Sequence, residues 1–372
     1  DYANYAFYDC DGLTVLNLTD NIYIEGFNAI FRGCSGISEI SVSKTNPFYT
    51  TDSQGVLYNK DITTVVFFPD GYKGDYELPS TVKKIAGGVF EDKENLTKIT
   101  ITKNVTLIDD LAFRGCINLK ELIFEDGGTE DLMIGDSAFQ FCYSLTDVIL
   151  PERTKRLGSS AFAMDPENNK SLKSITLNNG LEVIGDRAFF RTGLKEVTIP
   201  YTVQKIGNGA FIASLIEEIT FAETPSLDAN GNAVTRVPLA FETARTYKNN
   251  EVFVPNTSGT FLSCVNLRRV VLPERLEYIP NGTFQGCVAL EYVLIPSTVQ
   301  NSTVYNYNGS SKNTKVRGIG DQVFYGCFKL NTVEFAKGGT APLSFGKQTF
   351  AGCESLTTLN LPNRIASFNT NL

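Results

Sequence analysis

One phrase recurs along this chain at intervals of mostly about 22 to 27 residues. A β-branched residue, glycine, two variable positions and Ala-Phe lead to cysteine and then to the alternating pattern L-x-x-V-x-I-P. A period in the twenties is the signature of a solenoid, in which each turn buries its apolar face against its neighbours. The phenylalanine recurs at Phe7, Phe31, Phe90, Phe113, Phe139, Phe162, Phe189, Phe211, Phe261, Phe284, Phe324 and Phe350, with Phe241 as a degenerate thirteenth.

The alternating part of the phrase predicts a short strand in every turn. Leu194, Val197 and Ile199 alternate with polar residues until Pro200, which cannot donate to a ladder, ends the pattern. Stacked turns then give one continuous parallel β-sheet along one side, with short helical or 3₁₀ turns at Ala-Phe-x-x-Cys on the opposite side and an internal phenylalanine ladder. The sequence predicts an α/β-type repeat solenoid that is a single domain over residues 1–372, with insertions at about 41–80, 222–258 and 300–316.

The full phrase, L-x-x-V-x-I-P-x-x-V-x-x-I-G-x-x-A-F-x-x-C, resembles the BspA-like class of leucine-rich repeats over nearly the whole chain. Residues 46–90 resemble an insertion module of that family. The resemblance implies a right-handed leucine-rich repeat superhelix of the kind found in bacterial surface proteins. One departure is that the Asn or Cys expected after the strand is missing, so an asparagine ladder is not carried over.

All eight cysteines stand three residues after the repeat phenylalanine. This position favours a buried free thiol, which packs as a small hydrophobic group. Disulfides between turns about 5 Å apart are the rival interpretation, although parallel side chains do not converge as a bridge requires. Metal ligation is the third, without any C-x-x-C motif or histidine to support it.

Composition excludes several classes of function. With 33 Lys and Arg against 41 Asp and Glu the net charge is −8, and no basic patch favours a nucleic-acid partner. The absence of histidine removes the commonest general base and metal ligand. We therefore expect no catalytic residue, no cofactor, no metal site and no enzymatic activity, with a glycoside hydrolase as a remote alternative. The acidic turns 165–169 and 228–232 lack the spacing of a calcium loop, and calcium binding there is left open.

The sequence contains no apolar stretch of the roughly 18 residues that a membrane span needs. The first residues show neither a basic region nor an apolar core of a signal peptide. This pattern fits either a cytosolic protein or one whose targeting segment has been removed. The family resemblance implies the second, an extracellular or surface location with the signal segment absent from this chain.

Two clusters on the predicted outward face break its polar pattern. An apolar centre with a charged or Tyr/Arg rim is typical of protein-binding surfaces, although β-propensity alone also explains it. The first cluster is Glu121, Ile123, Asp147 and Ile149, and the second is Arg269, Val271, Tyr292 and Leu294.

The insertion at 300–316 offers a third candidate. Tyr305 and Tyr307 stand among Asn, Ser and Gly there, a composition shared by adaptable binding loops and by plain surface loops. We predict a monomeric, non-enzymatic scaffold that binds a protein partner. The resemblance implies adhesion to host extracellular-matrix or bacterial surface components, and a glycan-binding module that uses these tyrosines is the alternative.

Overall fold

Two units, residues 1–172 and 173–372, each bury their own stacked turns. The computed structural model describes residues 6–34, 36–70, 72–167, 171–226, 232–241, 246–248, 251–253, 259–304 and 314–368.

The first unit contains mostly short strands, because each turn supplies only two to six residues in extended conformation. Its elements are β1 (Val15–Leu18), α1 (Phe27–Ile30), β2 (Glu39–Val42), β3 (Tyr49–Thr51), β4 (Leu57–Asn59), β5 (Thr64–Phe67), β6 (Gly74–Glu77), β7 (Lys84–Ile85), β8 (Leu96–Ile101), β9 (Leu107–Ile108), β10 (Glu121–Phe124), β11 (Leu132–Ile134), β12 (Asp147–Ile149) and β13 (Thr154–Leu157).

The second unit follows the same plan with two added hairpins. Its strands are β14 (Ser174–Thr176), β15 (Val183–Ile184), β16 (Glu196–Ile199), β17 (Lys205–Ile206), β18 (Glu218–Phe221), β19 (Ala240–Phe241), β20 (Thr246–Lys248), β21 (Glu251–Phe253), β22 (Arg269–Val271), β23 (Tyr292–Ile295), β24 (Ser302–Val304), β25 (Thr314–Val316), β26 (Thr332–Phe335), β27 (Leu343–Phe345) and β28 (Ile365–Phe368). The antiparallel hairpins β20–β21 and β24–β25 lie within the predicted insertions.

A regular turn contributes two strands, so each unit contains more than one sheet. In the first unit one sheet has the order β6-β8-β10, and another runs β3-β4-β5-β7-β9-β11-β13. In the second unit the corresponding orders are β16-β18-β22-β23-β26 and β15-β17-β19. The prediction of one continuous sheet is therefore wrong. The second set forms where the isoleucine before the repeat glycine is buried and pairs in parallel with the next turn, as Ile184 does with Ile206.

The Ala-Phe-x-x-Cys segments form hydrogen-bonded turns, so the prediction of helical or 3₁₀ turns there is wrong. Left-handed residues flank the phenylalanine, for example Leu111 (φ 61°) and Gly115 (φ 73°) around Phe113, and these interrupt a helix. The amide of Phe113 donates instead to the carbonyl of Ala138 in the next turn, at 2.7 Å. Within the described ranges the only helix is the four-residue α1. No helix in that part of the chain is long and apolar enough to cross a membrane.

The predicted phenylalanine ladder is confirmed. From Phe90 to Phe162 successive rings stack 4.6 to 5.2 Å apart, and from Phe189 to Phe350 they stack 5.1 to 5.6 Å apart. Phe241 is the exception, because it lies in β19, where it pairs with Ile206, and meets Phe261 edge-on. Its assignment as a thirteenth ladder residue is therefore wrong.

The cysteines form a second ladder of free thiols, as the favoured interpretation predicted. The thiol of Cys116 donates to the carbonyl of Phe90 in the preceding turn at 2.9 Å, and that of Cys287 donates to Phe261 at 3.2 Å. Six of the eight are buried, whereas Cys10 is exposed and Cys353 is half-buried. The same link is made by Cys34, Cys142, Cys264, Cys327 and Cys353.

A carboxylate ladder takes the place of the missing asparagine ladder. The residue after the repeat glycine position, which Asp109 fills in one turn, accepts a hydrogen bond from the equivalent amide one turn later. Asp110 accepts from the amide of Asp136, and Asp136 accepts from the amide of Ser159, both at 2.7 Å. In the second unit Asp186 accepts from the amide of Asn208 at 2.8 Å.

Three arginines lie two residues after a strand-end proline and donate to backbone carbonyls of earlier turns. The guanidinium of Arg275 donates to the carbonyl of Pro200 at 2.9 Å and to that of Val203. Arg153 and Arg364 make the same kind of contact. Arg153 and Arg275 are buried, and Arg364 is partly buried. These side chains hold non-adjacent turns together.

The repeat glycine allows neighbouring turns to approach closely, which gives a test of the stacking. A Cβ added at Gly158 would lie 2.4 Å from the backbone carbon of Gly135, whereas one added at Gly12 would meet nothing within 4 Å. We expect Gly158→Ala to lower the free energy of unfolding of the first unit by about 2–3 kcal/mol, as overpacking does. Gly12→Ala, the matched control, is expected to change it by less than about 1 kcal/mol. Equal effects in urea titrations would contradict the close stacking.

Candidate functional site

The second predicted cluster forms a continuous surface, here called the Tyr292 surface, on β22, β23 and β26. Val270, Val293 and Val333 point inward and are buried, so alternation turns their neighbours outward. The strands are in register, which places these outward residues in two rows. One row is Arg269, Tyr292 and Thr332, and the other is Val271, Leu294 and Glu334.

Tyr292 is held in place from two sides. The guanidinium carbon of Arg269 lies 3.8 Å from the ring centroid, a cation–π contact. The hydroxyl donates to a carboxylate oxygen of Glu334 at 2.7 Å. Partial burial, followed by this hydrogen bond, raises the pKa of Tyr292, while Arg269 opposes the rise. The ring is therefore preorganised and neutral at physiological pH.

The structure brings together the four residues predicted for this cluster and adds Glu334. Val271 is 42% exposed and Leu294 is half-buried, so an apolar strip lies beside the aromatic ring. Glu334 was missed, although it occupies the same repeat position as Val271 and Leu294. That shared position was the available signal.

The first predicted cluster, here called the Ile149 surface, lies in the first unit on β10 and β12. Leu122 and Val148 are buried, which turns Glu121, Ile123, Asp147 and Ile149 outward. Ile149 is 71% exposed and Ile123 is 39% exposed, on neighbouring strands. Glu121 pairs with Lys98 at 3.2 Å. This surface has an exposed apolar centre but no aromatic group fixed by its neighbours.

The third prediction falls outside the structural description. Tyr305 and Tyr307 lie outside the described residues, between β24 and β25. Their role in glycan binding stays a prediction.

On both surfaces, exposed strand side chains combine an apolar centre with charged neighbours. An apolar centre with a charged or Tyr/Arg rim is typical of protein-binding surfaces, and the binding role of these two surfaces stays a prediction. Among the described residues, no three Cys, Asp or Glu side chains come together as metal ligands would.

Sequence comparison identifies the repeat. A family model described as the BspA type leucine-rich repeat region matches residues 1–74, 72–167, 167–233 and 310–372, in six copies. The chain belongs to this BspA-type leucine-rich repeat family. The resemblance drawn from the repeat phrase is thereby confirmed. No curated protein sequence matches the chain.

One solved structure shares the fold of this BspA-type protein, and two more are similar to a lesser degree. A leucine-rich repeat protein from Bacteroides ovatus is similar with a TM-score of 0.50 at 18% identity, over 95% of this chain and 76% of that one. A leucine-rich cell surface protein from Faecalibacterium prausnitzii matches at 0.43 and 23%, over 88% and 86%. The pneumococcal vaccine antigen PcpA matches at 0.47 and 19%, over 83% and 80%.

Proposed function

We propose that this BspA-type protein is a non-enzymatic scaffold at the bacterial cell surface that binds another protein through the Tyr292 surface. The surface location and a role in adhesion are what the family implies. A host extracellular-matrix protein or a bacterial surface protein is the partner class that fits this role.

The observation that carries the proposal is the fixed aromatic ring of Tyr292. Tyrosine and arginine are enriched among the residues that dominate binding energy at protein interfaces. A side chain already held in one orientation loses little conformational entropy on binding. Arg269 and Glu334 hold the ring, and the Val271 and Leu294 side chains supply apolar area beside it.

The proposal predicts a large effect of truncating the ring. We expect Tyr292→Ala to weaken binding to the recognised protein by about 2 kcal/mol, roughly 30-fold in Kd. Arg269→Ala is expected to weaken it less, by about 1 kcal/mol, because the ring keeps its contact with Glu334. The measurement is surface plasmon resonance of the whole chain against purified matrix proteins and bacterial surface proteins.

Two control variants make the result specific. Tyr325 is an exposed tyrosine of the same unit that lies outside the Tyr292 surface, so Tyr325→Ala is expected to leave binding unchanged. Ile149→Lys changes the centre of the Ile149 surface without touching the buried core. Loss of binding in the Ile149 variant alone, or equal loss in both tyrosine variants, would overturn the assignment to the Tyr292 surface.

A further inference from the structure

A groove of about 550 Å³ lies in the first unit, along the outer face of β5 and β7. Its volume falls within the roughly 300–1,000 Å³ of ordinary small-ligand sites. Residues 23–26, Asn28 and Phe48 form its other side. We call it the Tyr23 groove, lined by Tyr23, Glu25, Phe48, Thr64, Lys84 and Asp109.

The side of the groove that contains Ile24 and Asn28 is held in place at both ends. The hydroxyl of Tyr49 donates to the carbonyl of Ile24 at 2.9 Å and accepts from the amide of the same residue at 3.0 Å. The side-chain amide of Asn28 donates to the carbonyls of Val66 at 2.8 Å and Gly87 at 2.9 Å. These bonds attach this side to strands of the sheet, so the groove is preformed.

Two aromatic rings are presented to solvent at the groove. Tyr23 is 62% exposed and Phe48 is 40% exposed, with ring centroids 5.2 Å apart and planes tilted by 58°. Tyr23 stacks at 6.2 Å on the buried ring of Tyr49, which supports it from behind. A pyranose ring has a face of C–H groups that packs flat on such an aromatic face, while its hydroxyls remain free for hydrogen bonds.

Polar groups suited to sugar hydroxyls lie beside the rings. The ammonium of Lys84 pairs with a carboxylate oxygen of Asp109 at 2.8 Å, so a donor and an acceptor are held side by side. Glu25 adds a second exposed carboxylate. Two carboxylates against one ammonium leave a net negative charge, which disfavours sulfated, uronic or sialylated ligands.

An extended peptide is a poorer occupant. β5 lies between β4 and β7, and β7 lies between β5 and β9, so no free strand edge is available beneath the groove. Strand addition, the main way in which a sheet binds an extended peptide, needs such an edge.

We propose that the Tyr23 groove binds a neutral oligosaccharide, whose sugar rings pack on Tyr23 and Phe48 and whose hydroxyls bond to Lys84, Asp109 and Glu25. None of the residues that line the groove belongs to the Tyr292 surface, and Tyr305 and Tyr307 are not among them. It gives the protein a second class of ligand besides a protein partner.

The test uses the whole chain on a glycan array with short neutral oligosaccharides of glucose, galactose, mannose and N-acetylglucosamine. Sialyllactose and heparin fragments serve as anionic probes, and hits are measured by calorimetry. We expect saturable binding of a neutral probe, and we expect Tyr23→Ala to weaken it about tenfold or more. Because Tyr23 is largely exposed, this variant is expected to keep the circular dichroism spectrum and unfolding midpoint of the unmodified chain.

Three further variants decide the outcome. Asp109→Asn, which keeps the shape but removes the charge, is expected to weaken binding, whereas Tyr325→Ala and Tyr292→Ala are expected to leave it unchanged. Absence of binding to every neutral probe, preference for the anionic probes, or equal loss in the Tyr23 and Tyr325 variants would each overturn the proposal. Loss of protein binding in Tyr23→Ala would point to a peptide in the groove and would also overturn it.

Discussion

Raising the pH from about 8 to about 11 is expected to unfold the second unit, because its ladder thiols are buried as neutral groups. Cys264, Cys287 and Cys327 are completely buried. Burial raises the pKa of Cys264 from its ordinary value of 9.0 to about 12, and it also raises the pKa values of Cys287 and Cys327 well above 9.0. In the unfolded chain these thiols ionise near their ordinary pKa.

The direction of the effect follows from this difference. Below pH 9 the thiols carry their protons in both states, so their contribution to stability is fully present. As the pH rises from 9 toward 12, the unfolded chain releases protons that the folded unit retains, and stability falls. Each thiol contributes about 1.4 kcal/mol per pH unit, so three contribute about 4 kcal/mol per unit. A typical domain has a free energy of unfolding of about 5–15 kcal/mol, so a loss of this size within a few pH units unfolds it.

One buried group in the same unit acts in the opposite direction. Burial lowers the pKa of Arg275 to about 10, so above that pH the folded unit releases a proton that the unfolded chain keeps. This stabilises the folded unit by about 1.4 kcal/mol per pH unit at most. Burial also lowers the pKa of Arg364 in this unit, but it raises the pKa of a fourth ladder thiol, Cys353, to about 11. Four thiols outweigh two guanidinium groups, and the net effect remains destabilising.

The measurement is the urea unfolding midpoint at pH values from about 7.5 to about 10.5, with a reductant present to keep the thiols free. The chain supplies its own control, since Thr192 and Ser214 occupy the same repeat position and are buried. We expect the triple variant Cys264→Ser, Cys287→Ser and Cys327→Ser to have a much flatter pH dependence. An unchanged slope in the triple variant would assign the alkaline sensitivity to other groups.

The phenylalanine and cysteine ladders could be predicted because each depends on one residue type at one position per turn. The second sheet could not, since strands such as Val183–Ile184 are too short to show an alternating pattern. The left-handed backbone conformation of the turns could not be predicted from the sequence either. Leu111 and Phe141 have left-handed φ values despite having no preference for them, because hydrogen bonds between turns fix the backbone there.

The candidate sites also differ in how far the sequence predicts them. Arg269 and Tyr292 could be paired from the sequence because stacking turns brings equal repeat positions together. The Tyr23 groove gave no such signal, since Tyr23, Phe48 and Lys84 stand at unrelated positions of the repeat. Repeat periodicity predicts contacts between equivalent positions of neighbouring turns. It does not predict the contacts that form where an insertion folds back on the sheet.

Arg275 stands at the point where an insertion interrupts the repeat. In regular turns a threonine two residues after the proline links adjacent turns, as when the Thr202 hydroxyl donates to the carbonyl of Leu181 at 2.7 Å. Arg275 occupies this position directly after the turn that carries the insertion at 222–258. The backbone carbonyl of Arg275 accepts a hydrogen bond from the amide of Leu239 in that turn. The guanidinium of Arg275 donates to the carbonyls of Pro200 and Val203, which lie in an earlier turn. A long side chain therefore spans the irregular turn.

Replacing Arg275 with alanine is expected to lower the free energy of unfolding of the second unit by about 3–5 kcal/mol. The carbonyls of Pro200 and Val203 would lose their charged donor in a site closed to water, at a cost of about 1–3 kcal/mol each, and a cavity adds to this.

Arg275→Met separates the two causes, because methionine fills much of the cavity without supplying a donor. We expect Arg275→Met to retain a loss of about 2 kcal/mol or more, and Arg269→Ala, an exposed arginine of the same unit, to cost less than about 1 kcal/mol. Urea titration at pH 7 compares the three variants. Full stability of the methionine variant would show that Arg275 acts by filling space, and the carbonyl contacts would then contribute nothing to holding the turns across the insertion.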